Sequence, residues 1–146
     1  MTPLEALNTA YYDHYRKENP NYPAAYIPKP DYTDRTTNGL TKMVLDWMRF
    51  HGALAERTNT TGRQIKAKSG KRIWIPTAGV RGSSDIHATY RGLSLHIEIK
   101  CRATRDRVRP AQVEYARRVR MAGGLYVTVG TWAEFYEWFL QLNRKE

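Results

Sequence analysis

The sequence predicts an α/β fold with an N-terminal extension, and three patterns support this prediction. Apolar and polar residues alternate without a break from 93 to 100, as they do in a half-buried strand. Apolar residues recur at helical spacing from 40 to 48, and a short apolar run at 125–129 lies between Gly123-Gly124 and a helix-capping sequence. A chain of 146 residues is long enough to bury the core of one such domain.

Residues 1–36 form the extension, and their composition differs from that of residues 37–146. Five prolines and six tyrosines fall within it. Residues 4–15 are predicted to form a short helix, after which the prolines favour extended or turn geometry. Two interpretations of these tyrosines are open. Either they stack on unpaired bases, or they pack the extension onto the core or onto a second subunit, and packing is the commoner role of Tyr.

The first core helix is predicted to begin at the capping cluster Thr36-Thr37-Asn38 and to end before Gly52. Its buried stripe comprises Leu40, Met43, Val44, Trp47 and Met48. Residues 53–58 then read as a first strand.

A basic hairpin or flap is predicted next, because a polar stretch at 59–71 precedes the apolar run at 73–76. The stretch contains Arg63, Lys66, Lys68 and Lys71. Two readings remain open: a finger that contacts phosphates, or a solvated loop, since Lys and Arg are also common solubilising residues.

The segment 85–100 predicts a hairpin with a two-residue turn at Arg91-Gly92. In this register Asp85 lies opposite Glu98, and Lys100 shares the polar face with Glu98. Opposed like charges destabilise a sheet, so two carboxylates at these positions call for a cation. Oxygen ligands favour Mg²⁺ or Mn²⁺, and Lys100 adds a charge that stabilises a phosphate. The constellation suits phosphodiester hydrolysis; the alternative is a solvated face with a weak salt bridge.

His87 and His96 lie opposite each other on the same face of the predicted hairpin. A zinc site made of these histidines and the carboxylates is conceivable, but zinc usually takes three or four protein ligands in tetrahedral geometry. Packing or substrate contact is the preferred reading.

A basic helix is predicted after Lys100, with Pro110 in its first turn and an apolar stripe of Val113, Ala116 and Val119. Its arginines either contact a nucleic-acid backbone or form a solvated face. The candidate nucleic-acid-binding residues of the whole chain are Arg81, Arg102, Arg105, Arg107, Arg109, Lys66 and Lys68. Residues 125–129 follow as a buried strand, and a capping box at 131–134 opens a last helix whose aromatic residues cover the sheet.

The net charge of +10 and the pI near 9.9 indicate a polyanionic partner, for which nucleic acid is the first candidate. We expect no membrane association, because no apolar stretch is long enough to span a bilayer. The N-terminus lacks a signal-peptide pattern, so we expect a cytoplasmic location. Cys101 is the only cysteine and is expected to pack on the apolar face of its strand.

Four segments together resemble the PD-(D/E)XK nuclease superfamily, and in particular its VRR-NUC branch, which is similar to Holliday junction resolvases. The segments are Gly82-Ser83-Ser84-Asp85-Ile86, Ile97-Glu98-Ile99-Lys100, Arg109-Pro110-Ala111-Gln112 and the run from Gly123 to Val129. Residues 57–62, upstream of these segments, also match, and the whole resemblance covers about residues 37 to 140. It implies a restriction-endonuclease-like αβββαβ core with a mixed central sheet flanked by helices.

The resemblance also implies roles for individual residues. Asp85, Glu98 and the backbone of Ile99 would bind Mg²⁺ or Mn²⁺, Lys100 would be the catalytic lysine, and Gln112 would lie beside the site. DNA, structured or branched, would be the substrate, and we expect a homodimer because a small domain needs a partner to act on both strands.

Asn38 departs from the family pattern, which usually places a Glu near the start of the first core helix. An amide carries no charge and cannot act as a base. The alternative function is therefore a catalytically silent nucleic-acid-binding protein on a nuclease scaffold.

Overall fold

A computed structural model describes residues 1–58, 63–75 and 79–145, and it has an α/β architecture. Within these ranges the helices are α1 (Pro3–Glu18), α2 (Thr37–Phe50), α3 (Pro110–Met121) and α4 (Trp132–Arg144). The strands are β1 (Leu54–Arg57), β2 (Arg63–Lys66), β3 (Arg72–Ile75), β4 (Ile86–Tyr90), β5 (Leu93–Ile99) and β6 (Leu125–Val129). None of the helices in these ranges is both long and apolar enough to cross a membrane.

The central sheet has four strands in the order β1-β4-β5-β6. Strand β4 is antiparallel to β1 and to β5, whereas β6 is parallel to β5. The sheet is therefore mixed, as predicted. Because parallel neighbours need a crossover, the chain between β5 and β6 passes through α3.

The β4–β5 hairpin has the predicted turn and register. Arg91 (φ 48°) and Gly92 (φ 78°) both have positive φ, as a type I′ turn requires. Ile86 pairs with Ile97 and His87 with His96, so the residue before β4, Asp85, falls opposite Glu98. The prediction from alternation and turn chemistry is confirmed.

The apolar face of the sheet packs against α2, which also contacts α1 and α4. All five residues of the predicted α2 stripe are buried, and Thr36 caps the helix by accepting a hydrogen bond from the amide of Gly39. Trp132, Phe135 and Phe139 of α4 join this core. The opposite, polar face of β4 and β5 contacts α3 through hydrogen bonds.

The N-terminal extension contributes to the same core. Helix α1 is longer than predicted, and Leu7 is fully buried in the main cluster. The indole of Trp132 donates to the carbonyl of Pro3. Tyr11 packs edge-on against Phe50 and the hydroxyl of Tyr32 donates to Asp46, whereas Tyr26 is 72% exposed.

Three predicted details are wrong. Val113 of the predicted α3 stripe is 61% exposed, and Tyr115 is buried instead, together with Ala116 and Val119. The predicted residues are spaced by three, whereas a helical turn has 3.6 residues, so Val113 falls outside the buried face. In β6 only Val129 is buried, because β6 is an edge strand. Thr131 caps α4, but the Glu134 side chain accepts from the Gly130 amide, so the reciprocal capping box does not form.

The predicted basic hairpin is present as the antiparallel pair β2–β3, which forms its own two-stranded sheet. Lys66 and Lys68 are exposed there. Residues 59–62 of the upstream family segment and Pro76 of the apolar run lie outside the described residues. The predicted first strand at 53–58 is shortened to β1.

Candidate functional site

Asp85, Glu98 and Lys100 come together at one end of the β4–β5 hairpin. Glu98 is 2% exposed, and the ammonium of Lys100 lies 3.3 Å from its Oε1. The amide of Ile99 donates to Oδ2 of Asp85 at 2.8 Å, which fixes the Asp85 side chain beside β5. The three residues of the sequence-predicted constellation therefore share one site.

Helix α3 brings Gln112 to this site. Its Oε1 accepts from the amide of Arg109 at 2.8 Å, and its Nε2 donates to Oε1 of Glu98 at 2.6 Å. One end of the carboxamide accepts and the other donates, so both partners together determine its orientation. Gln112 therefore lies beside the site, where it donates a hydrogen bond to the Glu98 carboxylate.

Gly82 allows the loop before Asp85 to contact the first turn of α3, a role that sequence reasoning missed. Its φ is +78°, and a Cβ at this position would lie 2.2 Å from the carbonyl oxygen of Ala111. Any larger residue would push the loop away from α3, so this glycine keeps Asp85 and Gln112 on the same side of the site.

The Glu98 carboxyl has a pKa raised to about 7, first because it is buried and second because Asp85 is close; Lys100 opposes the rise. Its Oε2 is buried and has no hydrogen-bond partner among the described residues. A buried acceptor in this state favours a proton or a cation. The carboxylate pair thus fits an oxygen-ligated divalent ion.

Metal ligation by protein side chains alone would be sparse here. Within 1–58, 63–75 and 79–145, no group of three or more His, Cys, Asp or Glu side chains could hold a metal. Two carboxylates with water, carbonyl or phosphate oxygens would suit Mg²⁺ or Mn²⁺, and Ile99 could offer only its backbone carbonyl oxygen, because its side chain is apolar.

The histidines of the hairpin have other partners. The hydroxyl of Tyr115 lies 3.1 Å from Nε2 of His87 and 3.0 Å from Nδ1 of His96. Burial lowers the pKa of both imidazoles. No local pattern in the sequence indicates this bridge, because only the β5–α3–β6 crossover brings Tyr115 to the histidines. It supports the packing or substrate-contact reading over zinc.

Part of the predicted basic surface adjoins the site. Lys100, Arg102 and Arg105 line a cleft of about 640 Å³ beside the end of β6, and Arg102 forms an ion pair with Glu134 there. Arg109 is the N-cap residue of α3, next to Gln112. Arg81 and Arg107 are exposed on flanking loops, and Lys66 and Lys68 belong to the separate hairpin.

Asn38 is exposed in the first turn of α2, and its Oδ1 accepts from the guanidinium of Arg57 at 2.9 Å. Cys101 is fully buried and donates to the carbonyl of Asp34, which agrees with a packing role.

Glu98 also predicts a pH-dependent stability. Since its folded-state pKa of about 7 exceeds the ordinary value of 4.5, its contribution is complete below pH 4.5 and is lost as the pH rises through 7. For protein in EDTA, we expect the Glu98 carboxyl to cost the wild type on the order of 3 kcal/mol of unfolding free energy between these pH limits. Glu98→Gln should not show this loss. The unfolding free energies of wild type and variant, measured by urea denaturation from pH 4.5 to 8, test this.

The two histidines give the opposite slope, because their lowered pKa values make stability rise with pH. The difference between wild type and Glu98→Gln cancels their contribution. If the difference in unfolding free energy between wild type and Glu98→Gln is the same at pH 4.5 and at pH 8, the assigned environment of Glu98 is wrong.

Comparison with known proteins gives no family to which the site can be referred. The chain matches no family model, no curated protein and no solved structure. The resemblance to PD-(D/E)XK nucleases therefore stays a prediction from the quoted sequence motifs.

Proposed function

We propose that this protein is a divalent-metal-dependent endonuclease that hydrolyses phosphodiester bonds in structured or branched DNA. The observation that carries the proposal is the convergence of a buried Glu98 with Asp85, Lys100 and Gln112 at one end of the hairpin. The order α2-β1-β4-β5-α3-β6 is also the αβββαβ order that we propose as a restriction-endonuclease-like core.

Asp85 and Glu98, with the carbonyl of Ile99, would hold Mg²⁺ or Mn²⁺. The bound ion would neutralise developing negative charge and lower the pKa of a water nucleophile. Gln112 holds the Glu98 carboxylate in position through its 2.6 Å hydrogen bond. The Lys100 ammonium provides a fixed positive charge for the phosphate of the transition state.

Backbone phosphates on either side of the cut would meet the basic cleft. Arg102 and Arg105 line it together with Lys100, and Arg109 lies at the start of α3. Such contacts bind DNA in a sequence-independent and salt-sensitive manner. A homodimer that presents two such clefts would be able to cut both strands.

Asp85→Ala is expected to abolish cleavage while DNA binding remains. The test uses labelled duplex, single strand, flap and four-way junction with Mg²⁺, Mn²⁺ or EDTA. Cleavage should require the metal and should disappear in the variant, whereas affinity measured in EDTA should be retained, because the removed group binds the ion rather than the backbone. Cleavage in EDTA, or undiminished cleavage by Asp85→Ala, would refute the proposal.

The second candidate is a nucleic-acid-binding protein that has lost turnover. The observation that favours it is Asn38, whose amide is bonded to Arg57 at the position where the family usually carries a Glu. Affinity for Mn²⁺, measured by calorimetry, separates the candidates: a silent scaffold should bind DNA in a salt-sensitive manner yet bind Mn²⁺ only weakly.

A further inference from the structure

A second cavity lies on the same face of the sheet as the candidate site, between the end of α3 and the start of β5. It measures about 400 Å³, which falls within the usual range of small-ligand pockets. Val80 and Val119 give it apolar walls, and His96 and Tyr115 contribute ring surfaces. The exposed Arg118 lies at its rim.

The pocket suits a flat, amphipathic group that carries a negative charge at its outer end. Tyr115 is buried, and its hydroxyl is already bonded to both histidines, so the interior offers ring faces together with a few polar edges. Ser94 adds a hydroxyl next to His96. A nucleobase with its phosphate against Arg118 has this combination of properties.

The pocket is also at the right distance from the candidate active site. His96 precedes Glu98 by two residues on the same face of β5, which is about 7 Å. Tyr115 follows Gln112 by one turn of α3, which is about 5 Å along the helix. These spacings correspond to two nucleotides at the stacked rise of about 3.4 Å per nucleotide, and to about one nucleotide in a more extended single strand.

We propose that this pocket receives one unpaired base of the DNA strand that is cut, one or two nucleotides from the scissile phosphate. A paired base cannot enter without leaving its stack, so the pocket would select single-stranded or branched DNA. This inference rests on the proposed nuclease function and specifies its substrate.

The test is an abasic scan by fluorescence anisotropy in EDTA, with a forked duplex whose junction fixes the register. We expect one position in the single-stranded arm to lose roughly tenfold in affinity when its base is removed. Ala122→Trp places an indole at the rim and fills the cavity. This variant should bind the intact fork as weakly as the wild type binds the fork that lacks the critical base, and its abasic scan should be flat. Met121→Trp is the matched control at an exposed neighbour and should keep the wild-type profile.

Arg118→Gln, paired with Arg117→Gln, gives a second comparison that leaves the cavity unfilled. Of these two arginines only Arg118 lines the pocket, so only its variant should weaken binding of the intact fork, while the abasic position that costs affinity should stay the same. A flat wild-type scan, or an unchanged profile in Ala122→Trp, would overturn the inference.

Cleavage of the same fork with Mn²⁺ separates the two proposals. A fork that is cut but gives a flat scan refutes the base pocket alone. A position-specific scan on a fork that is never cut supports the pocket as a binding site and refutes the nuclease.

Discussion

Lys100→Met is expected to slow DNA cleavage by about 10²- to 10³-fold while DNA affinity in EDTA changes little. The ammonium lies 3.3 Å from the buried Glu98 carboxylate, where the surrounding protein screens its charge poorly. Single-turnover rates at saturating Mn²⁺ measure the effect. Lys17→Met, an exposed change on α1, removes the same charge and should leave the rate unaltered.

Lys100 has two separable effects, and pH distinguishes them. It lowers the Glu98 pKa, so without it less Glu98 is ionised at neutral pH. With the metal ion below saturation, so that part of the protein is metal-free, raising the pH from 7 to 9 restores the carboxylate but not the missing charge beside the phosphate. The deficit should shrink without disappearing; complete recovery at pH 9 would show that Lys100 acts only through Glu98.

Leu7→Ala is expected to destabilise the protein by about 2–5 kcal/mol, the usual result of truncating a buried leucine. Leu7 is 0% exposed in a core shared with α2 and α4, although it belongs to the N-terminal extension. Leu4→Ala is the matched control, because Leu4 is 43% exposed on the same helix and should change stability by less than about 0.5 kcal/mol.

Urea denaturation of the three proteins in EDTA measures these effects. A cost for Leu7→Ala no greater than that for Leu4→Ala would show that α1 is a detachable arm. The expected cost would show that residues 1–36 fold with the rest of the chain.

The hairpin that carries the site was predictable because its information is local. Alternation assigns Glu98 and Lys100 to one face, and the positive φ required at Arg91-Gly92 fixes the register that places Asp85 opposite Glu98. The α2 stripe was predictable for the same reason, since a 3.6-residue repeat needs no knowledge of its partners.

The contacts made by α3 were less accessible, because they depend on how the crossover lies against the sheet. Gln112 was placed at Glu98 by the family resemblance, not by its helical position. No local sequence pattern indicates that Gly82 contacts Ala111 or that Tyr115 contacts the two histidines. Burial of Leu7 likewise depends on long-range packing of α1 against α2 and α4.

The most direct test of the site is the single-turnover cleavage rate of one preferred DNA as a function of Mn²⁺ concentration, for wild type and Asp85→Asn. Asp13→Asn, an exposed carboxylate on α1, serves as the control for the same chemical change. We predict a saturating curve for wild type and control, and no cleavage by Asp85→Asn despite equal DNA affinity in EDTA. A variant that cleaves like wild type would place the chemistry elsewhere and contradict the account.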